Sequence, residues 1–164
     1  MGLNSGALYF TNNGTAANPS WTKINAPSLP QRYVESIAFP GWRPGQWNTV
    51  DVAFDGNAYD EGFNPDNLWV TSNGGGTWTN ISSGLPTVPI RSVVTSQSYP
   101  YQGYLYIGTA VGVFASTDYG AHWSSGLSGD VPANVWVDQL FWTNGGSRLV
   151  AVTHGRGMFT ANTQ

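Results

Sequence analysis

One pattern of residues occurs in Leu68-Trp-Val-Thr-Ser-Asn-Gly-Gly-Gly-Thr-Trp78 and again in Val113-Phe-Ala-Ser-Thr-Asp-Tyr-Gly-Ala-His-Trp123. Each stretch has a short apolar segment and a hydroxyl residue, then Asn or Asp two positions later, Gly two positions after that, and finally Trp. A looser copy runs from Leu8 to Trp21, with extra residues in its turn. The Trp residues that end the three copies are 57 and 45 residues apart. Spacings of this size are typical of a four-stranded repeat.

The pattern predicts a β-hairpin, because each of its positions has a role in closing a turn. The Asn or Asp side chain can accept hydrogen bonds from backbone amides, and the Gly allows a positive φ. The Trp then returns on the second strand and covers the turn, so the three Trp side chains are expected in the core. His122 occupies the Thr position of the pattern and is expected to be a turn residue. The residues predicted to be structural are Asn13, Trp21, Asn73, Gly75, Trp78, Asp118, Gly120 and Trp123.

The rest of each repeat fits a plan of four strands, A to D, in which the hairpin supplies C and D. Alternating and β-branched residues predict A strands at 33–39, 90–95 and 135–142, and B strands at 49–54, 104–109 and 148–153. Links that contain Pro or Gly, at 26–30, 84–86 and 126–132, separate each D strand from the next A strand. No apolar pattern of helical period persists for ten residues. We therefore expect an all-β chain of antiparallel sheets.

The stretches 78–86, 105–109, 112–118 and 152–159 resemble the C-terminal blades of bacterial Asp-box proteins, which carry sialidase-like BNR repeats. The resemblance covers roughly residues 33 to 160. It implies a β-propeller segment of about three four-stranded antiparallel blades with Asp-box hairpins. Such repeats occur in sialidases, xyloglucanases, sortilin-type receptors and proteins of no assigned function. The resemblance therefore implies a fold without implying an activity.

The predicted strands divide a single domain, residues 1–164, into four parts. A partial blade with strands C and D covers approximately 1–30, and three further blades cover 31–84, 85–128 and 129–164. Propellers close with at least four blades. We therefore expect one of two arrangements: the remaining blades come from elsewhere, or copies of this chain associate, for instance as a two-fold pair that completes six blades.

The composition excludes several classes of partner. Charged residues make up 9 % of the chain and its net charge is −3, with the six basic residues scattered. No basic run could bind a nucleic acid, and no apolar run is long enough for membrane insertion. The absence of Cys removes disulfides and thiolate sites. Low charge and the sequons at Asn13 and Asn80 favour an extracellular, secreted protein whose signal sequence is not present in this chain.

The first candidate site is the long B-to-C link of the second part of the chain, residues 56–67. In a propeller, C-to-D turns lie on one face, and B-to-C and D-to-A links lie on the face where ligands approach the channel. The link contains Asp60, Glu61 and Asp66. Such carboxylates could act as general acid and base in glycoside hydrolysis or, as a lesser alternative, hold Ca²⁺. The other interpretation is a solvated acidic loop. No cofactor and no metal are predicted.

The second candidate site is the turn 153–157 of the last blade. His154 and Arg156 could bind a carboxylate or sugar hydroxyls, or the turn could be a Gly-rich hairpin whose Arg packs on a neighbouring blade. Outside the repeat pattern, an exposed Trp could stack on a sugar ring, although covering an adjacent blade is the ordinary role. The Trp residues that do not recur with the pattern are Trp42, Trp47, Trp136 and Trp142, of which Trp136 is a candidate ligand-binding residue.

These observations favour an extracellular scaffold or recognition module that self-assembles or forms part of a larger propeller. Its ligand would be a glycan or a protein. The alternative is the C-terminal part of a glycoside hydrolase, sialidase-like or xyloglucanase-like, with most catalytic residues outside this chain. A third class is capture of a polypeptide in the channel, in the manner of sortilin. The arginine cluster and Tyr nucleophile of sialidases cannot be assigned to residues here, so the sequence contains no complete catalytic set.

Overall fold

The computed structural model describes residues 1–40, 48–56, 66–96, 103–125 and 134–162. In these ranges the chain is all-β, with one 3₁₀ turn at Asn144–Gly146. The strands are β1 (Tyr9–Phe10), β2 (Thr22–Lys23), β3 (Val34–Ala38), β4 (Val50–Phe54), β5 (Leu68–Thr71), β6 (Thr79–Asn80), β7 (Ile90–Thr95), β8 (Leu105–Thr109), β9 (Gly112–Ser116), β10 (Ser124–Ser125), β11 (Val137–Thr143), β12 (Arg148–Thr153) and β13 (Gly157–Asn162).

The strands form four antiparallel sheets in chain order. The leading sheet is β1-β2, blade 1 is β3-β4-β5-β6, blade 2 is β7-β8-β9-β10, and blade 3 is β11-β12-β13. Each strand pairs with its neighbour in sequence, as expected for meandering blades. The prediction of antiparallel four-stranded sheets is confirmed in blades 1 and 2, and blade 3 has three strands among the described residues.

The leading sheet extends further than the sequence predicted. Gly2 forms an antiparallel bridge to Leu8, and the N-terminal nitrogen of Met1 donates to the carbonyl of Tyr9 at 2.8 Å. Residues 1–3 therefore occupy the position of a short B strand, before the predicted C and D strands. The sequence of this stretch has no alternating apolar pattern, so its pairing depends on the neighbouring β1.

The first strands of the three blades, β3, β7 and β11, form the inner edge of the molecule. β3 packs against β7, and β7 packs against β11. Equivalent hydrogen bonds join them, since Ser36 Oγ accepts from the amide of Val93 at 3.1 Å and Ser92 Oγ accepts from the amide of Leu140 at 3.0 Å. The blades are therefore held together by polar contacts at their inner strands as well as by apolar packing.

Three apolar clusters fill the spaces between successive sheets. The cluster between blades 1 and 2 contains Leu68 and Ile107, both fully buried. At the other two interfaces, close packing needs glycine in the B-strand position. A Cβ at Gly2 would lie 2.3 Å from Val34 Cγ1, and a Cβ at Gly108 would lie 2.7 Å from Val137 Cγ1. In blades 1 and 3 the first residue of the inner strand thus packs tightly against the preceding sheet.

Side-chain hydrogen bonds close the three hairpins that the sequence pattern predicted, which we call the Asx hairpins (11–21, 71–78 and 116–123). In the second, Asn73 Oδ1 accepts from the hydroxyl of Thr71 at 3.0 Å and the amide of Thr77 at 2.8 Å. In the third, Asp118 Oδ1 accepts equivalent bonds from Ser116 and His122. In the first, Asn13 Oδ1 accepts from Thr11 and Ser20. One hydroxyl and one Asx side chain therefore organise each turn.

The Trp residues of the Asx hairpins do not all lie in the core. Trp78 and Trp123 are half-buried, and each indole Nε1 donates to the carbonyl of the residue after the previous sheet's last strand, Ile24 at 3.0 Å and Ile81 at 2.9 Å. Trp21 is 45 % exposed. The prediction of a core position for Trp21 is wrong, because a half-buried Trp in this position needs a preceding sheet to cover it.

Candidate functional site

Of the three carboxylates in the predicted acidic link, Asp66 alone lies within the described residues. Asp60 and Glu61 lie outside the described residues, as do Trp42 and Trp47. Asp66 lies beside the outer strands of blade 1, where its carboxylate accepts a hydrogen bond from Asn80 and its backbone carbonyl accepts one from the indole of Trp69. The guanidinium of Arg32, two residues before β3, also donates to the Asp66 carbonyl at 3.3 Å, so Asp66 has structural contacts within blade 1.

The β12–β13 hairpin brings one of its two candidate residues to the inner edge. The amide of His154 donates to the carbonyl of Trp136 at 2.9 Å, and its Nδ1 lies 3.5 Å from Asp138 Oδ2. Arg156 is exposed at the tip of the hairpin. The structure therefore brings His154 and Trp136 together and leaves Arg156 apart.

A β-bulge occurs at the same position in all three inner strands. The register shifts between Val34 and Ser36 in β3, between Ile90 and Ser92 in β7, and between Val137 and Gln139 in β11. The extra residues at these bulges are Glu35, Arg91 and Asp138. A bulge turns the side chain of its extra residue away from the regular alternation, so each blade directs one charged side chain out of its apolar pattern.

These bulge residues, together with Trp136 and His154, form a continuous series that we call the inner-strand row. Arg91 Nη1 lies 3.3 Å from Glu35 Oε1, and the guanidinium carbon of Arg91 lies 5.1 Å from the centroid of the Trp136 ring. The series continues through the contacts of His154 with Trp136 and Asp138. Three blades therefore contribute to one polar surface that an exposed aromatic ring interrupts.

The row lies near the starts of the inner strands, next to the B-to-C turn of blade 3. This is the side of the blades on which the sequence placed a candidate ligand surface. Trp136 is 40 % exposed although Arg91 stacks on it. Because the Arg91 guanidinium lies against the ring of Trp136, the ring has a fixed orientation. Its exposed part is therefore a preformed apolar surface between charged groups.

The electrostatics of the row centre on Glu35. Burial raises the pKa of the Glu35 carboxyl, the Arg91 guanidinium opposes that change, and the nearby carboxylate of Asp55 raises the pKa further. The effect of burial on the pKa of Glu35 is therefore larger than the effect of its ion pair with Arg91. In the part of the chain that the structure describes, no three His, Asp or Glu side chains group closely enough to hold a metal ion. The row can therefore bind a ligand through ion pairs, hydrogen bonds and ring contacts.

Sequence reasoning missed the three bulge residues. A usable signal exists, because the inner strands begin Val34-Glu-Ser-Ile, Ile90-Arg-Ser-Val and Val137-Asp-Gln-Leu. Each has an apolar residue, a charged residue, a polar residue and another apolar residue in that order. Aligning the A strands, rather than the hairpins alone, would have identified the position. The remaining Trp outside the hairpin pattern, Trp142, covers the adjacent blade through an edge-on contact with Tyr106 at 5.5 Å.

The solved structures to which this chain is similar are β-propellers. They include YCF48 bound to D1 peptide (TM-score 0.63, 20 % identity, covering 99 % of this chain and 45 % of that one). They also include an ancestral GH74 enzyme (TM-score 0.58, 23 % identity, 92 % and 20 %) and the GH74 xyloglucanase from Xanthomonas campestris (TM-score 0.53, 13 % identity, 88 % and 22 %). No family model and no curated protein matches the sequence.

These similarities establish the fold class. The chain is an all-β segment of propeller type, and it spans less than half the length of YCF48 and about a fifth of the GH74 enzymes. At sequence identities below 25 %, these similarities show a shared architecture and do not show a shared activity. In the described residues, no helix is long and apolar enough to cross a membrane.

Proposed function

We propose that this chain is a recognition module that binds a polypeptide across the inner-strand row, and that it is not itself a catalyst. The observation that carries the proposal is the continuous contact from Glu35 through Arg91 to Trp136, which joins the inner strands of three blades. An extended peptide presents alternating apolar and charged groups, and the row offers a ring with charges on both sides. The YCF48 structure, itself bound to a peptide, supports a ligand of this class.

The physical chemistry of the row suits recognition. A half-exposed Trp supplies a large contact area with few rotatable bonds, and such residues dominate the binding energy of many interfaces. The Glu35 and Arg91 charges are partly buried, so they would fix the orientation of a ligand more strongly than charges in open solvent. Because these groups are already in contact, little side-chain ordering would be required on binding.

The proposal includes a family and a location. The hydrogen bonds of Asn73 and Asp118 within their turns support membership among Asp-box proteins with BNR repeats. The low proportion of charged residues supports a secreted protein solvated by amides and hydroxyls. A secreted recognition module would meet its polypeptide ligand outside the cell.

Selection from a displayed library of random peptides tests the proposal. We expect the wild-type chain to enrich related sequences, and we expect Trp136→Ala and Arg91→Gln each to weaken binding of a selected peptide about tenfold or more. The matched control is His122→Ala, which removes an exposed side chain from an Asx hairpin. Isothermal titration calorimetry gives the Kd values, and circular dichroism checks the fold. Equal affinities for wild type and both row variants would refute the proposal.

A second candidate function, glycoside hydrolysis, is favoured by one observation. Burial raises the pKa of Glu35, which is the direction that a general acid requires, and Asp138 supplies a second carboxyl in the same row. A reducing-sugar assay with xyloglucan and with sialosides tests it. Turnover that Glu35→Gln abolishes would support the enzyme, and absence of turnover in the folded chain would leave recognition as the function.

A further inference from the structure

The third Asx hairpin differs from the second in the residue at its left-handed turn position. This residue is Tyr119, with a φ of 61°, where the second hairpin has Gly74, with a φ of 70°. The two positions are equivalent, because the amide of Tyr119 donates to the carbonyl of Gly103 at 2.9 Å and the amide of Gly74 donates to the carbonyl of Asn48 at 2.8 Å. A tyrosine is strained in this conformation and a glycine is not. Closing the turn therefore does not require the ring of Tyr119.

The ring of Tyr119 is held in place although most of it is exposed. A Cβ placed on Gly103 would lie 2.6–2.8 Å from three adjacent atoms of this ring, so the ring lies directly against the backbone of a glycine. Tyr119 is nevertheless 65 % exposed. One side of the ring is therefore fixed on the A-to-B turn of blade 2, and the other side is open to solvent. The small area that the ring buries does not account for the strained backbone.

A second difference between the two hairpins is His122, which occupies the position of Thr77. Nδ1 of His122 lies 2.6 Å from Oδ2 of Asp118, and 88 % of the histidine side chain is exposed. A carboxylate oxygen accepts a proton donor, so Nδ1 carries the proton and Nε2 is left as an exposed acceptor. In the second hairpin the hydroxyl of Thr77 forms the corresponding contact with the amide group of Asn73. A hydroxyl thus suffices for the turn, and the imidazole adds an oriented polar atom at the surface.

The turn that carries Tyr119 and His122 lies at the end of the molecule opposite the inner-strand row. The row lies near the starts of the inner strands, whereas the sheet register pairs Ser116 with Leu105 and Leu105 with Thr95, the last residue of β7. Blade 2 has a neighbouring sheet on each side, because β7 packs against both β3 and β11. The exposure of Tyr119 is therefore a property of the hairpin tip and does not arise from an uncovered sheet face.

The rest of the hairpin surface is small and carries no unmatched charge. The other exposed residues between positions 116 and 123 are Thr117 and Ala121. The carboxylate of Asp118 accepts hydrogen bonds from the Ser116 hydroxyl and from the amide and side chain of His122, so its charge is satisfied within the turn. The exposed surface thus combines one fixed aromatic ring with hydrogen-bonding groups. This combination fits a neutral polyhydroxyl ligand better than a charged one.

We propose that Tyr119 and His122 bind a pyranose ring of a neutral glycan, at a site separate from the inner-strand row. The C–H face of the sugar packs on the exposed side of the Tyr119 ring, and a sugar hydroxyl donates to Nε2 of His122. Both side chains are already held, one by Gly103 and the other by Asp118, so little freedom is lost on binding. One ring and one acceptor match a single sugar residue, whereas an extended peptide needs contacts along several residues.

A printed array of neutral oligosaccharides built from glucose, galactose, mannose and xylose tests the proposal. The biotinylated chain, assembled on streptavidin, is expected to bind at least one of these glycans, and an NMR titration of the free chain with that glycan gives the Kd. We expect Tyr119→Gly to weaken binding about tenfold or more, and Tyr119→Phe, which keeps the ring, to remain within about twofold of wild type. His122→Thr removes the exposed acceptor and should weaken binding about fivefold.

Thermal unfolding of the same variants separates a binding role of Tyr119 from a structural one. Because glycine relieves the left-handed strain, Tyr119→Gly should have a Tm equal to or above that of wild type. The matched control is Tyr33→Gly, which makes the same change at an exposed tyrosine outside the hairpin and should retain glycan binding. A wild-type chain that binds no glycan on the array, unchanged binding in Tyr119→Gly, a lower Tm of this variant, or loss of binding in the control would each overturn the proposal.

Discussion

Asp51 is the residue whose environment departs furthest from the repeat. It lies in β4 between Val50 and Val52 and is only 4 % exposed. The corresponding residues of the next two blades are Tyr106 and Val150, both compatible with an apolar interface. Burial raises the pKa of the Asp51 carboxyl to about 7 from its ordinary value of 3.8. An ionised carboxylate buried in this position costs free energy, and the corresponding residues of the other two blades carry no such charge.

This burial predicts a pH dependence of stability. Because the pKa of Asp51 is higher in the folded state, its contribution is most favourable below pH 3.8 and is lost as the pH rises to about 7. The change amounts to about 4 kcal/mol at most. Urea unfolding of wild type and Asp51→Asn should show a stability difference that moves in favour of the variant between pH 4 and 7 and then levels off. A difference that is constant with pH would contradict the assignment.

Asp118 provides the opposite case in a separate pH range. A hydrogen bond from the His122 side chain, with others from the His122 amide and the Ser116 hydroxyl, lowers the pKa of Asp118 to about 2. Its favourable contribution is therefore present above pH 3.8 and is lost as the pH falls toward 2. Since this window lies below that of Asp51, measurements above pH 4 report on Asp51 without interference from Asp118.

At the scale of the element, the Asx hairpin is a local structure whose Trp gains its environment from another sheet. The turn hydrogen bonds of Asn73 and Asp118 join residues two to four positions apart. The indole bonds of Trp78 and Trp123 join residues 54 and 42 positions apart. The hairpin therefore forms from local sequence, while its Trp contributes to the docking of one sheet on the next.

Equivalent Trp substitutions should consequently differ in cost. Trp78→Phe and Trp123→Phe each remove an indole N–H that satisfies a carbonyl of the preceding sheet, so each should lower the free energy of unfolding by about 1–2 kcal/mol. Trp21→Phe should have an effect below about 0.5 kcal/mol, because Trp21 is largely exposed. Denaturant unfolding at low protein concentration measures all three. Equal losses at the three positions would show that the Trp acts within its own hairpin.

At the scale of the whole molecule, polar contacts between the inner strands couple one blade to the next. Ser36 Oγ accepts from the amide of Val93, and Ser92 Oγ accepts from the amide of Leu140. Ser92 is buried, so Ser92→Ala would leave the Leu140 amide without its acceptor and should lower the free energy of unfolding by about 1–2 kcal/mol. Urea unfolding measures this loss, with the exposed Ser72→Ala as the matched control. A loss no larger than that of the control would contradict a coupling of blades 2 and 3 through Ser92.

The outline of the blades followed from sequence because each blade pairs strands that are adjacent in the chain. The A strand predicted at 33–39 is Val34–Ala38, and the one predicted at 90–95 is Ile90–Thr95. Alternation and turn residues specify such pairs locally. The inner-strand row did not follow from sequence, because candidate residues were sought in long loops and Gly-rich turns. Of those described, Asp66 contacts Asn80, Trp69 and Arg32, and only His154 and Trp136 belong to the inner-strand row.

The sequence by itself determined the hairpins, the order of the strands and the all-β class, since these depend on hydrogen bonds and alternation within a few residues. Only the tertiary structure decided that Glu35, Arg91 and Trp136 meet, because their contact requires three inner strands with bulges in the same register. It also decided that Trp21 is exposed whereas Trp78 is half-buried. The surroundings of a side chain at a sheet interface depend on the neighbouring sheet, and no local pattern encodes whether that neighbour is present.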